Sequence, residues 1–249
     1  MPAYGIIPAR YGSTRFPGKP LADIGGRSMI HCVYERAARA KRLEEVLVAT
    51  DDKRIYDAVL AFGGDAVMTK GDHATGTDRL AEVARQLPGV RIIVNIQGDE
   101  PLIAPEAIDA VVAELENNRD LVMCSVMTPL TSAAAMRNPN VVKVITDADN
   151  YAIYFTRLFD PMPSDKYFIP GPWKRHIGLY AYRRDFLLKL TEWPSAPLEQ
   201  SERLEQLRVL EHGYRIKMVE RKEDFSIGVD TPEDLARVNA VLAQAAARK

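Results

Sequence analysis

Tyr4-Gly5-Ile6-Ile7-Pro8-Ala9, running straight into Arg10-Tyr11-Gly12-Ser13-Thr14-Arg15-Phe16-Pro17-Gly18-Lys19-Pro20, is the stretch on which the reading of this chain turns. The apolar run predicts a short buried strand. The loop after it interleaves three cations (Arg10, Arg15, Lys19) with two glycines (Gly12, Gly18) and the hydroxyls of Ser13 and Thr14. A polyphosphate asks for that mixture: glycine lets backbone amides approach, the amides donate, and Arg or Lys neutralises charge. The loop is not a Walker A element, because five residues separate Gly12 from Gly18 and Pro20 stands where a magnesium-holding Ser or Thr would be. Nor is it the G-x-G-x-x-G dinucleotide pattern. The alternative, a solvated basic surface loop, does not explain why cations and glycines alternate directly after a buried strand.

Outward from that loop, strand-like and helix-like runs alternate. Ser28–Ala40 carries Met29, Ile30, Val33 and Ala37 at helical spacing, Glu45–Thr50 reads as a strand and Asp52–Phe62 as a helix. Ala66-Val67-Met68, Gly76–Gln86, Arg91–Gln97 and Pro105–Glu116 continue the series as strand, helix, strand and helix. The run Ile92-Ile93-Val94-Asn95-Ile96 suits the centre of a parallel sheet, where both faces are covered. The predicted class is therefore α/β, with a doubly wound, mostly parallel sheet. Beyond residue 120 the pattern is mixed. Leu121–Thr128, Val141–Thr146, Tyr151–Thr156 and His176–Tyr182 predict strands, some alternating in the antiparallel manner, and Leu198–Glu211 and Pro232–Ala245 predict helices. With no linker or repeat between the halves, one domain spans 1–249. In it 1–120 would hold the nucleotide, 121–230 would be an inserted antiparallel portion for the acceptor and a dimer contact, and 231–249 would be a helix packing back.

Composition narrows the function. Over 249 residues, 47% are hydrophobic and 27% charged, with a net charge of −1, which disfavours a general nucleic-acid binder. No apolar run is long enough for a membrane helix, and Met1-Pro-Ala-Tyr-Gly-Ile-Ile-Pro lacks the charged and apolar regions of a signal peptide, so a cytoplasmic protein is expected. Cys32 and Cys124 lack metal-type spacing and predict buried free thiols.

In open α/β sheets ligands bind beyond the carboxyl ends of the strands. That rule selects the loops at 10–20, 50–53, 70–77 and 98–101. Asn95-Ile96-Gln97-Gly98-Asp99-Glu100-Pro101 ends a buried strand in a carboxylate, which reads either as a Mg²⁺ ligand or as an ordinary Gly-Asp turn. Asp230, before the helix start Thr231-Pro232, reads as a capping residue or as a second ligand beside Asp99. Thr75, Gly76 and Arg79 open a helix beside the nucleotide loops. His176 and Tyr180 share a face of one strand, and Glu202 and Gln206, four apart, share a face of one helix, positions open to acceptor contact or to plain structure.

Taken in order, Ile7-Pro8-Ala9-Arg10, Pro17-Gly18-Lys19-Pro20, Val48-Ala49-Thr50-Asp51, Gly76-Thr77-Asp78-Arg79, Gln97-Gly98-Asp99-Glu100-Pro101, Leu204-Glu205-Gln206-Leu207-Arg208 and Val229-Asp230-Thr231-Pro232 resemble the cytidylyltransferases that activate 3-deoxy-manno-octulosonate (KDO) for lipopolysaccharide synthesis. The resemblance implies a Rossmann-like nucleotidyltransferase fold, CTP as donor, a sugar acid as acceptor, Mg²⁺ and a homodimer. It implies that Asp99 and Asp230 hold the metal. Lys19, Arg10 and Asp99 would carry catalysis, with Ala9, Arg10, Gly12, Ser13, Arg15, Lys19, Thr75, Gly76 and Arg79 on the nucleotide. Gln97, Arg157, His176, Tyr180 and Gln206 would meet the acceptor, and helical spacing adds Glu202 to them. After Tyr154-Phe155-Thr156-Arg157 the family continues with Ile-Pro and basic residues, whereas this chain reads Leu158-Phe159-Asp160-Pro161-Met162-Pro163-Ser164-Asp165. That departure leaves KDO, 8-amino-8-deoxy KDO and another sugar acid open. The rivals are a transferase for a neuraminate or sugar 1-phosphate, and a nucleotide-binding module without catalysis.

Overall fold

Ile6 and Ile7 are adjacent, and both have 0% exposure. Successive side chains of a strand point to opposite faces, so a strand that buries both neighbours must lie inside a sheet covered on two sides. Each contributes roughly 1.5–3 kcal/mol by leaving water. They belong to β1 (Ala3–Ala9) in the computed structural model, which describes residues 1–12, 16–158, 171–222 and 227–247. A small antiparallel ribbon, β2 (Asp23–Ile24) and β3 (Arg27–Ser28), follows the first loop. β1 pairs in parallel with β4 (Glu45–Thr50) on one side and β6 (Ile92–Asn95) on the other, and β4 pairs in parallel with β5 (Asp65–Met68).

Beyond β6 the sheet changes character. β10 (Lys174–Arg183) runs antiparallel to β6 and to β7 (Met123–Pro129), and β7 is parallel to β11 (Ile216–Glu220) at the far edge. β8 (Lys143–Thr146) pairs with the start of β10 and with β9 (Ala152–Thr156), both antiparallel. The fold is thus mixed α/β, with a parallel nucleus and antiparallel strands added at one side, as the residue pattern predicts.

Helices cover both faces. On the side of Ile7 lie α1 (Met29–Ala37), α2 (Lys53–Ala61) and α4 (Pro105–Asn117), through Ile30, Val33, Ile55, Val59, Ile108 and Val111. On the side of Ile6 lies α3 (Gly76–Arg85), through Leu80, Ala81 and Ala84. α5 (Ala133–Arg137) is a short helix after β7 that buries Ala133 and Met136, and α6 (Arg184–Leu190) joins the Ile6 side.

The helix predicted over Leu198–Glu211 is two helices, α7 (Pro197–Glu202) and α8 (Gln206–Glu211), broken at Arg203, whose φ of 55° and ψ of 46° are left-handed. The reason is an ion pair. On one straight helix Glu199 and Arg208 would stand about 13.5 Å and two and a half turns apart, on opposite faces. The break brings Arg208 Nη2 to 2.5 Å and Nε to 2.7 Å from the Glu199 carboxylate. Last, α9 (Pro232–Ala247) docks through Val238 on Ile24, Met29 and Cys32, with Val229 buried beside them. Cys32 and Cys124 are buried free thiols, and no helix among the described residues is long and apolar enough to cross a membrane.

Candidate active site

Lys19 is delivered by the turn before it. Gly18 has a φ of +71°, its amide donates to the Tyr11 carbonyl at 2.9 Å, and Lys19 then opens a single 3-10 turn with Pro20 buried behind it. A side chain at Gly18 would be strained by that φ and would meet the Tyr11 ring as well. The result is an ammonium 2.7 Å from Asp99 Oδ2 and 3.2 Å from Asp230 Oδ1.

Asp99 arrives from the end of β6. Gly98 before it lies so close to β1 that a Cβ would sit 3.0 Å from the Pro8 carbonyl oxygen. Asp230 comes from the other end of the chain, and the Val229 amide donates to the Asp99 carbonyl at 2.9 Å. Two carboxylates separated by 130 residues are therefore joined through one backbone bond and one shared ammonium.

Two cavities meet at these groups. The smaller, about 310 Å³, is lined by Ala9, Arg10, Lys19, Thr75, Gly76 and Arg79 among others. The larger, about 830 Å³, takes in Gln97, Arg157, His176, Tyr180 and Gln206. Gly76, Gln97, Asp99 and Asp230 line both. Gly12 lines neither, and Ser13 and Arg15 lie outside the described residues, as does most of the Leu158–Asp165 departure.

On the smaller cavity, Thr75 caps α3: its hydroxyl accepts from the Asp78 amide at 3.1 Å while Asp78 Oδ2 accepts from the Thr75 amide at 3.0 Å. Arg79, 4% exposed, is held by Asp51 at 3.2 Å, by the Lys70 carbonyl at 3.2 Å and by the Thr69 hydroxyl. A fixed, buried guanidinium is a reader of position rather than a mobile counter-charge.

On the larger cavity, His176 Nε2 lies 2.9 Å from Ser125 Oγ, which is itself 2.9 Å from the Leu179 carbonyl. A carbonyl only accepts, so the hydroxyl donates to it and His176 Nε2 donates to the hydroxyl. Burial, with Arg157 adding, lowers the His176 pKa to about 3, and the ring is neutral at ordinary pH. Between Ile177 and Tyr180 the ladder with β7 shifts: three steps on β10 match one on β7. Two extra residues preserve the alternation, so the His176, Tyr180 and Tyr182 rings still stand in a row, 5.4 and 6.1 Å apart. Burial drives the Tyr180 phenol well above its ordinary pKa, and its hydroxyl donates to Gln206 Oε1 at 3.3 Å. Gln206 Nε2, on a side chain 5% exposed, is buried with no hydrogen-bond partner among the described residues. An orphan donor of this kind costs about 1–3 kcal/mol and points to a ligand that satisfies it.

Glu202 does not join Gln206 on a common helix face. The break at Arg203 turns it away, and it binds β9 through Tyr154 and Thr156 and the Arg157 amide instead of lining either cavity. Residue patterns missed several groups that do line the larger cavity. Glu205, whose burial raises its pKa despite bonds from Thr77 and Thr75, is one. Arg175, Arg203 and Arg237 line it as well as Arg157, four arginines in all. They come from separate elements, and no spacing in the sequence announces them.

A cytidylyltransferase family model matches residues 4–219 of this chain. The 3-deoxy-manno-octulosonate cytidylyltransferase of Syntrophotalea carbinolica is 53% identical over 244 residues, covering 95% of this chain and 97% of that protein. The enzyme of the same name from Geobacter sulfurreducens is 52% identical over 242 residues, covering 94% and 96%. The structure of a CMP:2-keto-3-deoxy-manno-octonic acid synthetase complexed with CTP superposes with a TM-score of 0.90 at 42% identity, over 98% of this chain and 99% of that one. With family model, whole-length relatives and fold in agreement, the chain belongs to the 3-deoxy-manno-octulosonate cytidylyltransferase family.

Proposed function

We propose that this chain transfers CMP from CTP to the anomeric hydroxyl of KDO and releases pyrophosphate, supplying activated sugar for lipopolysaccharide synthesis in the cytoplasm. The observation that carries the reading is the junction of the two cavities at Asp99 and Asp230, with Lys19 bridging both. A reaction between two anionic substrates needs two compartments that share a charge-neutralising centre. In this reading residues 1–120 hold the nucleotide and 121–230 the acceptor, with α9 returning Asp230 to the centre.

The smaller cavity takes the nucleotide, with Lys19 and Arg10 on the phosphates and the Thr75–Arg79 helix start on the base. The four arginines of the larger cavity suit a carboxylate-bearing sugar, and Gln97, His176, Tyr180 and Gln206 suit its hydroxyls. Asp99 and Asp230 fit a divalent cation: both offer oxygen, they share one ammonium, and Mg²⁺ takes one or two carboxylates and completes its shell with phosphate and water. Among the described residues no third His, Cys, Asp or Glu joins them, and substrate oxygens and water would complete the shell. When bound, the cation would neutralise phosphate charge and favour ionisation of the acceptor hydroxyl.

The acceptor oxygen forms a bond to the α-phosphorus as the bond to the bridging oxygen of pyrophosphate breaks, and the hydroxyl proton passes to solvent. His176, neutral and donating to Ser125, positions rather than titrates. The protein's work is orientation and charge neutralisation. The family resemblance implies a homodimer, and the exposed Ile153 and Leu158 favour a second copy on that side. Sedimentation of a monomer only would refute the dimer.

The test is pyrophosphate release from CTP and Mg²⁺ with KDO, 8-amino-8-deoxy KDO and neuraminate in parallel. Turnover with KDO far above the others is expected. Release with the amino sugar alone would reassign the acceptor, and release with none would sink the proposal.

A further inference from the structure

Among the cavity arginines, Arg157 has its backbone gripped from both sides by charged side chains. Its amide donates to Glu202 Oε2 at 3.0 Å, and its carbonyl accepts from Lys143 Nζ at 2.7 Å. Glu202 also takes the Tyr154 hydroxyl at 3.3 Å and has Thr156 Oγ1 at 3.1 and 3.2 Å. Lys143 is 0% exposed, and its ammonium makes a second bond to the Asn138 carbonyl at 2.8 Å. Neither Lys143 nor Glu202 lines a cavity, but Arg157 and Asn138 both line the larger one.

A buried ammonium whose bonds among the described residues go to carbonyls rather than to a carboxylate is an expensive core residue. An apolar side chain of similar volume would fill the space and serve stability as well or better. What lysine adds is reach and several donors: one nitrogen ties together two carbonyls 19 residues apart in sequence, Asn138 and Arg157. Burial holds its pKa below the ordinary lysine value, with the Arg157 charge adding to that effect. Glu202 completes the grip from α7, on the opposite side of the same residue.

We propose that Lys143 and Glu202 are positioning residues for the acceptor, acting as a clamp on the Arg157 backbone that aims its guanidinium at the carboxylate of the sugar acid. The clamp rests on the assignment of the larger cavity to the acceptor. It replaces direct sugar contact as the role of Glu202. Lys143 extends the same hold to Asn138, so the cavity wall and the arginine beside it are set by one ammonium.

The test is a pair of double-mutant cycles read by pyrophosphate release, with KDO and CTP varied separately. Lys143→Met and Glu202→Gln are each combined with Arg157→Ala. Arg157→Ala is expected to raise KM for KDO at least tenfold. Each clamp variant is expected to raise it about fivefold, to leave KM for CTP within twofold, and to add nothing in the Arg157→Ala background. Multiplicative effects in the double variants, or equal loss of CTP and KDO affinity, would overturn the clamp as a positioning device. An unchanged KM for KDO in Arg157→Ala would instead overturn the acceptor assignment on which it rests. If Lys143→Met does not fold, the Glu202→Gln cycle decides alone, because that change preserves volume and one acceptor oxygen.

Discussion

Replacing Arg208 with methionine isolates the interaction that breaks the α7–α8 segment. The guanidinium makes two charge-assisted bonds to Glu199, at 2.5 and 2.7 Å, and also donates to the Trp193 carbonyl at 3.2 Å. Both side chains are nearly out of solvent, at 8% and 10% exposure. Removing one partner of such a pair leaves a buried charge with little beyond the Ala196 amide, 3.0 Å away, to compensate it. The expected cost is about 3–5 kcal/mol, which at roughly 2–4 °C per kcal/mol for a chain of this size lowers Tm by ~6–20 °C.

The sign with pH follows from Glu199. Burial pushes its carboxyl up, but the Arg208 guanidinium and the Ala196 amide outweigh burial, and the net shift is downward. A depressed carboxylate contributes stability that is present above its unfolded pKa and is lost as pH falls through the folded value. In Arg208→Met the same carboxyl, stripped of its partner, takes up a proton more readily and becomes less costly to bury. The gap between the two proteins should therefore narrow as pH falls below about 4.3, the ordinary value for glutamate. Urea unfolding followed by circular dichroism at pH 7 and pH 4 measures both points, with Glu199→Leu/Arg208→Met as the companion variant expected to regain most of the loss. A cost under about 1 kcal/mol at pH 7, or a gap that widens in acid, would refute the reasoning.

Asp99→Asn should cut metal-dependent turnover by at least a hundredfold with little change in Tm, while EDTA should silence the wild type; near-normal rates in either case would remove Asp99 and the cation from the mechanism. Gly98→Ala forces a Cβ to 3.0 Å from the Pro8 carbonyl, and displacement of the Asp99 loop should cost about 1–3 kcal/mol in urea unfolding and lower kcat; an unperturbed kcat would mean the loop yields freely. Gln206→Met deletes the unpartnered amide and the acceptor of Tyr180 together, so apoprotein stability should change by less than about 1 kcal/mol while KM for KDO rises at least tenfold. A large stability loss with KM unchanged would make Gln206 a structural residue.

How much of this was legible in advance differs between the halves. From β1 to α4 the longer strands and helices announce themselves, because period-2 and period-3.6 patterns are separated by glycine, proline and capping residues such as Ser28, Asp52 and Thr75, whereas the β2–β3 ribbon, two residues a side, is too short to show a pattern. The loops at Gly18-Lys19 and Gly98-Asp99 could be placed for the same reason, being local features that follow strands. The second half resists because its geometry is set by contacts between distant residues. The break at Arg203 depends on an ion pair between Glu199 and Arg208, and helical spacing alone predicts continuity there. β11 shows only Ile216 and Met218 as buried alternating positions, too short a signal in five residues. The ladder shift at Gly178-Leu179 is invisible because two inserted residues leave the alternation intact. The same helical spacing puts Glu202 on one face with Gln206, and the break at Arg203 separates them.

The return of α9 makes the carboxylate pair answer to packing at a distance from it. Asp230 follows Val229, which is buried in one cluster with Val238, Ile24, Met29 and Cys32 and donates its amide to the Asp99 carbonyl. A change that loosens that apolar contact would therefore slacken the hold on Asp230 while leaving Lys19 and its turn in place.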